Sequence, residues 1–242
     1  MRYLLISFLL LMNATLMLAQ VDLSLYEKKA QFQMGGGSLQ PSAEFAKAGT
    51  DALFVRNGFQ VNFAFSYVFF RNFAAGVHLD YNQYGFDRTA FIRHQDNPAV
   101  TQLSSFNSTR FGFSGMVFLP VKIGKQSSFS FFLEGQAGLR NMNIPKLDLT
   151  YGELDNQYVE VAYRPRSNSM GYLALNGGVQ VHFTRNFGLY ASWQKTLDSR
   201  HSVKYSSRAF DAAGNLTEGE HFLHQFLGST GIRGGLVFTF GK

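Results

Sequence analysis

From Phe59 to Phe70 the chain alternates. Phe59, Val61, Phe63, Phe65, Tyr67 and Phe69 are interleaved with Gln60, Asn62, Ala64, Ser66, Val68 and Phe70. Side chains along a β-strand point to opposite faces with a period of two. One face of this segment is therefore large and mostly aromatic, and the other is mostly small or polar. The run is about 12 residues long, and a tilted strand needs roughly 9–11 to cross a bilayer. The pattern recurs seven more times and predicts strands over residues 28–39, 57–70, 73–88, 107–122, 129–144, 170–184, 187–205 and 223–240.

Composition agrees with a sheet and excludes several alternatives. Of the 242 residues, 26 are Phe and 24 are Gly but only 5 are Pro, and charged residues are 16%, below the quarter usual in soluble domains. Mean hydropathy is −0.08, which argues against a helical membrane protein. Residues 1–19 read as a signal peptide, with Arg2 as its positive start, an apolar stretch from Tyr3 to Leu18 and Ala19 before the cleavage point. Residues 20–242 then form one barrel domain. No later segment approaches 18 continuous apolar residues, so no spanning helix is expected. The absence of Cys excludes disulfides, thiolate metal sites and a lipid-modified N-terminal Cys. The net charge of +6 is scattered without a Lys/Arg run. It reads as a basic surface facing acidic lipid head groups or polysaccharide, with no nucleic acid as partner.

The connections carry the second signal. Arg71-Asn72 and Arg185-Asn186 are tight hairpin links, and Gly124 to Ser128 is a short polar one. The other links are long, over residues 40–56, 89–106, 145–169 and 206–222, and hold much of the charge. Long and short links alternate strictly, which puts every long one at one end. Outer-membrane barrels have this layout, with short periplasmic turns and long extracellular loops. An even strand number then leaves both termini periplasmic. The fold class read from these features is all-β: an eight-stranded antiparallel up-and-down transmembrane β-barrel.

Face assignment follows from the alternation. Lipid-facing positions include Phe73, Val77, Leu79, Leu133, Leu139, Leu173, Leu175, Ile232, Leu236 and Phe238, whereas His78, Asn82, Gln136, Asn176, Gln180, His182 and Thr239 face inward. A charge on the lipid face costs several kcal/mol near the midplane. Asp80, Arg110, Glu134, Arg140 and Arg233 are therefore placed inside, as a polar network in the lumen. An eight-stranded barrel is just wide enough for side chains to fill it, so a plugged lumen is expected. Phe69, Phe73, Phe183, Phe187, Trp193 and Phe240 lie near strand ends, as interfacial girdles do.

Candidate chemistry is sparse. His78 with Asp80, and Gln180 with His182, share a face, but no three ligands converge, so no metal or cofactor is assigned. His201 and Ser202 at the outer rim are candidates for the base and nucleophile of a lipid hydrolase. Met34-Gly35-Gly36-Gly37-Ser38 lies in a strand with no helix after it, and is not a phosphate loop.

The signal-like segment ending Leu18-Ala19-Gln20, the Arg-Asn-Phe turns and the closing strand from Gly231 to Phe240 give the chain a resemblance. It resembles the small outer-membrane β-barrels of Gram-negative bacteria, the OmpA/OmpX-like and PorT-like group. The resemblance implies residence in the outer membrane among lipid and lipopolysaccharide. It also implies contact with the barrel-assembly machinery through the C-terminal strand, although Gly241 and Lys242 follow the terminal aromatic here. Four readings of function remain. One is a non-enzymatic structural or adhesion scaffold with an extracellular or envelope protein partner at the long loops. The others are a narrow channel or export component, a rim hydrolase, and a soluble lipocalin-like barrel with its faces inverted.

Overall fold

The computed structural model describes residues 28–46, 53–94, 99–102, 104–123, 127–154, 157–165, 168–197, 200–210 and 215–241. The proposed signal peptide lies outside them. Eight antiparallel strands close into a barrel: β1 (Ala30–Pro41), β2 (Val55–Phe70), β3 (Phe73–Phe86), β5 (Phe106–Lys122), β6 (Ser128–Asn143), β9 (Asn168–His182), β10 (Phe187–Thr196) and β13 (Ser229–Phe240). Each pairs with the next barrel strand in the chain, and β13 pairs with β1 to close the seam. Stepping across paired residues takes Ala30 to Tyr67, Ala75, Gly115, Gly135, Leu175, Lys195, Thr230 and then Gln40. The circuit thus returns ten residues up the first strand. For eight strands that stagger corresponds to a tilt of about 40°, within the usual range for barrels.

The two faces sort by chemistry. Phe63, Phe65, Leu79, Phe113, Leu133, Leu139 and Ile232 are 40–71% exposed on the outside, while Gln60, Asn62, Asp80 and Asn82 are almost wholly enclosed. This is the reverse of a lipocalin cup, and the soluble alternative is set aside on it. An exterior band of this kind is what hydrocarbon contact requires. No helix among the described residues is long and apolar enough to cross a membrane.

Two local features depart from simple alternation. Phe70 shares parity with the inward set but is 51% exposed. A register shift between Val68 and Phe70, followed by Arg71 at φ 41°, turns it outward. Gly112 and Gly138 face each other across β5 and β6. A Cβ on Gly138 would lie 2.6 Å from the Cα of Gly112, so these backbones approach only as glycines.

The long links are not simple loops, which corrects the strand ends expected at 205 and 223. β10 stops at Thr196, and residues Arg200–Phe210 form a separate strand, β11. Likewise Leu216–Phe226 is β12, separate from β13. With β4 (Ala99–Gln102), β7 (Leu147–Leu154) and β8 (Gln157–Pro165) they make a second sheet in the order β12-β11-β8-β7-β4. A short helix, α1 (Arg88–His94), precedes β4. Asp87 caps it by accepting a hydrogen bond from the Ala90 amide at 3.0 Å.

Candidate functional site

Strand parity delivers the lumen. Asp80 stands directly across from Arg110 on the neighbouring strand and from Asn62 on the other side. The Arg110 guanidinium lies 3.0 Å from one Asp80 oxygen, and Arg233 lies 3.6 Å from the other. Arg233 also reaches Glu134 at 3.6 Å, and Glu134 accepts a hydrogen bond from Asn176 at 2.7 Å. All four charged groups are at most 4% exposed. The Asp80 oxygens sit at ion-pair distance without hydrogen-bond alignment, so these contacts are Coulombic. Two carboxylates and two guanidiniums leave this group formally neutral.

Neutral partners extend the layer across the cylinder. Arg110 donates to Thr196 at 2.6 Å and to Gln194 at 3.0 Å, and Gln194 donates to Gln136 at 3.0 Å. Arg233 donates to Ser192 at 3.1 Å. Tyr190 donates to Asn62 at 2.8 Å. His78 and Tyr172 are joined by a hydrogen bond, and the Arg110 guanidinium lies over the Tyr172 ring.

Arg140 is not joined to this group, although it stands beside Arg110 in register. It lies toward the loop end. There it donates to the Leu227 carbonyl at 2.6 Å and to the Tyr84 hydroxyl at 3.5 Å, and it rests 5.7 Å from the Phe45 ring centre. Four of the five residues expected to share a network are thus brought together by ion pairs. The fifth is a buried cation (2% exposed) held by a carbonyl, a hydroxyl and a ring.

Above and below the polar layer are apolar plugs that the sequence reading did not anticipate. Toward the turns, Val68, Ala74, Met116, Phe118 and Phe132 pack together inside the barrel. Toward the long links, Leu39, Phe45, Leu53, Val55, Tyr84, Phe106, Met142, Met170, Val203 and Leu227 form a larger plug. Met116 and Phe118 share the parity of Arg110, and Phe132 that of Glu134. Parity alone would have shown the turn-side plug.

Strand β7 of the second sheet packs on an apolar cluster that it shares with α1 and the barrel strand β3. Phe54, Phe91, Leu147 and Leu149 are buried together, with Phe86, Ala90 and Ile92 packed against them. Leu147 and Leu149 alternate with Asp148, whose carboxylate pairs with Arg164 on β8 at 2.5 Å. Arg208 and Glu218 face each other in register on β11 and β12 at 2.7 Å. One face of the sheet is thus directed at apolar cores and the other carries charge.

The remaining candidate chemistry is accounted for by packing. His182 bonds Thr239 at 3.1 Å and His78 bonds Tyr172. Among the described residues no group of three potential metal ligands converges. His201 and Ser202 are consecutive residues of β11 and so project to opposite faces, which separates the proposed base from the proposed nucleophile. Burial, and then the nearby Arg140 charge, push the His201 imidazole below its ordinary pKa.

No protein-family model and no curated protein sequence matches the chain. Among solved structures it is similar to a major outer membrane protein from Thermus thermophilus, at 10% identity over 87% of this chain and 99% of that one, with a TM-score of 0.46. It is similar to Neisserial surface protein A at 14% identity, over 88% and 96% of the two chains, with a TM-score of 0.44. It is also similar to the attachment invasion locus protein Ail of Yersinia pestis at 14% identity, over 88% and 99%, with a TM-score of 0.41. These are small outer-membrane β-barrels, the group that the sequence resembles.

Proposed function

We propose that this barrel works as an outer-membrane anchor whose filled cylinder holds a five-stranded sheet at the cell surface for binding or adhesion. The observation that carries the reading is the gathering of the long links into one sheet that packs, through Leu147, Leu149 and Val203, on apolar clusters at the loop end of the barrel. Links that only connect strands need no such packing. A rigid scaffold that presents a shaped surface does, and binding function concentrates on such segments. The two plugs and the buried charges support an anchor over a narrow channel. The opposed faces of His201 and Ser202 support a non-enzymatic role. The alternation of short turns and long links supports extracellular placement of the sheet and periplasmic placement of both termini. In this reading the barrel contacts lipid and lipopolysaccharide, the assembly machinery engages β13, and an extracellular or envelope protein meets the sheet.

Cross-linking on intact cells tests the reading. The full chain should capture a surface partner. A variant with residues 146–166 replaced by a short Gly-Ser link should lose it while still migrating as a folded barrel before heating. Unchanged capture would remove the sheet from the proposal. Protease added to intact cells should cut near residues 93–99 and 153–166. Cutting only after the outer membrane is permeabilised would invert the topology.

A further inference from the structure

Among the described residues, the turn end of the barrel carries one sign of charge. Lys28 and Lys29 lie at the start of β1, Arg71 in the β2–β3 turn, Lys122 at the end of β5 and Arg185 in the β9–β10 turn. The backbone amide of Lys28 is tied to the Val68 carbonyl at 2.8 Å, which fixes it at that end. Lys28, Arg71, Lys122 and Arg185 are exposed. Among the described residues no Asp or Glu lies at this end. The loop end is different. There Arg56 pairs with Asp87, Arg164 with Asp148 and Arg208 with Glu218.

The spacing of these cations matters as much as their sign. They fall on β1, between β2 and β3, on β5, and between β9 and β10, which distributes them round the whole perimeter. Just on the hydrocarbon side of them, Phe69, Phe70, Phe73, Phe183, Phe187 and Phe240 are 36–56% exposed on the outer surface. The Arg71 guanidinium rests 5.4 Å from the Phe70 ring centre. Aromatic belts sit at headgroup depth, and long basic side chains reach past them toward phosphates. A single docked protein would need a patch on one side. A ring fits a continuous annulus.

We propose that the turn end is a binding surface for anionic phospholipid head groups, so that the leaflet around the turns solvates this barrel selectively. The inference rests on the membrane-spanning reading proposed above. Each Lys or Arg at such a surface favours an anionic head group by about fivefold at most, and less in salt.

The test uses the full-length folded protein in phosphatidylcholine vesicles carrying a trace of spin-labelled phosphatidylglycerol or spin-labelled phosphatidylcholine. The measured quantity is the motionally restricted fraction of each label. The wild type should hold the anionic label several-fold more strongly than the zwitterionic one, and added salt should reduce the difference. The triple variant Arg71→Gln, Lys122→Gln, Arg185→Gln should lose the preference. A loop-end variant of equal charge change, Arg56→Gln, Arg93→Gln, Arg208→Gln, should keep it. Each variant is first shown to be folded by its heat-dependent gel migration. No preference in the wild type, retention in the turn-end variant, or loss in the loop-end variant would each overturn the inference. Vesicle flotation separates the two levels of the argument. A protein that floats without lipid preference refutes this inference alone, whereas one that does not float refutes the membrane reading as well.

Discussion

Replacing Asp80 with Asn isolates the energetics of the lumen, because it keeps the side chain's shape and removes the charge shared by two guanidiniums. Unit charges at the observed 3.0 Å and 3.6 Å, in an effective dielectric of about 20, attract by about 5 kcal/mol each. Much of that offsets the loss of hydration when the three ions are enclosed. What remains on breaking the arrangement is an uncompensated buried cation, costing about 3–5 kcal/mol. Arg110 is the orphan, because Glu134 pairs with Arg233. Adding Arg110→Gln to Asp80→Asn restores charge balance and should recover about 2 kcal/mol or more. The assay is reversible urea unfolding from phospholipid vesicles, followed through Trp193, the sole Trp, which is 49% exposed on the outer surface. Arg140→Met is the contrast. It removes a buried cation held by a carbonyl, a hydroxyl and a ring, and should cost less than Asp80→Asn. Strict additivity of the Asp80 and Arg110 substitutions, to within about 0.5 kcal/mol, would refute a coupled charge layer.

Other outcomes follow from the same geometry. Gly138→Leu should abolish folding, since even its Cβ would lie 2.2 Å from the Phe111 carbonyl oxygen, whereas Gly115→Ala, with nothing within 4 Å, should fold normally; heat-dependent gel migration distinguishes them. Spin labels replacing Phe63 and Asn62 should differ in collision with lipid-dissolved oxygen, high at the first and low at the second, and equal values would reject the face assignment. At His201 the folded pKa lies below the unfolded one, so its stabilising contribution is whole above about pH 6.5 and is lost as pH falls through the folded value. The protection factors of β11 amides, with the intrinsic pH dependence of exchange divided out, should therefore fall on acidification, and His201→Gln should flatten that dependence.

The alternation of strands was legible because one physical constraint, hydrocarbon outside and polar groups inside, acts on every second residue. Gln60, Asn62 and Asp80 could be placed inside from parity alone. Parity does not say which residue meets which across the lumen, because that depends on the stagger of all eight strands. Arg140 illustrates this: it shares the inward face with Arg110 and stands next to it, yet its side chain turns toward the loop-end plug. The second sheet was hidden for another reason. Leu147, Leu149 and Tyr151 alternate with Asp148 and Thr150, and Val159, Val161 and Tyr163 alternate with Glu160, Ala162 and Arg164. The same signal of period two was present, but it was masked by charge that marked the segment as a loop. The break between β10 and β11 left no mark in a run that reads as one long strand.

The seam between β1 and β13 joins twelve residue pairs whose members lie about two hundred positions apart in the chain. Until Ser229–Phe240 has been made, Gln31 and Gln33 lack one wall of the cylinder and the first strand keeps a raw edge. Such distant pairing is slow to find unaided. The barrel can therefore close only once β13 has been made. Losing Ser229–Phe240 would leave not a smaller barrel but a curled sheet with two sticky margins.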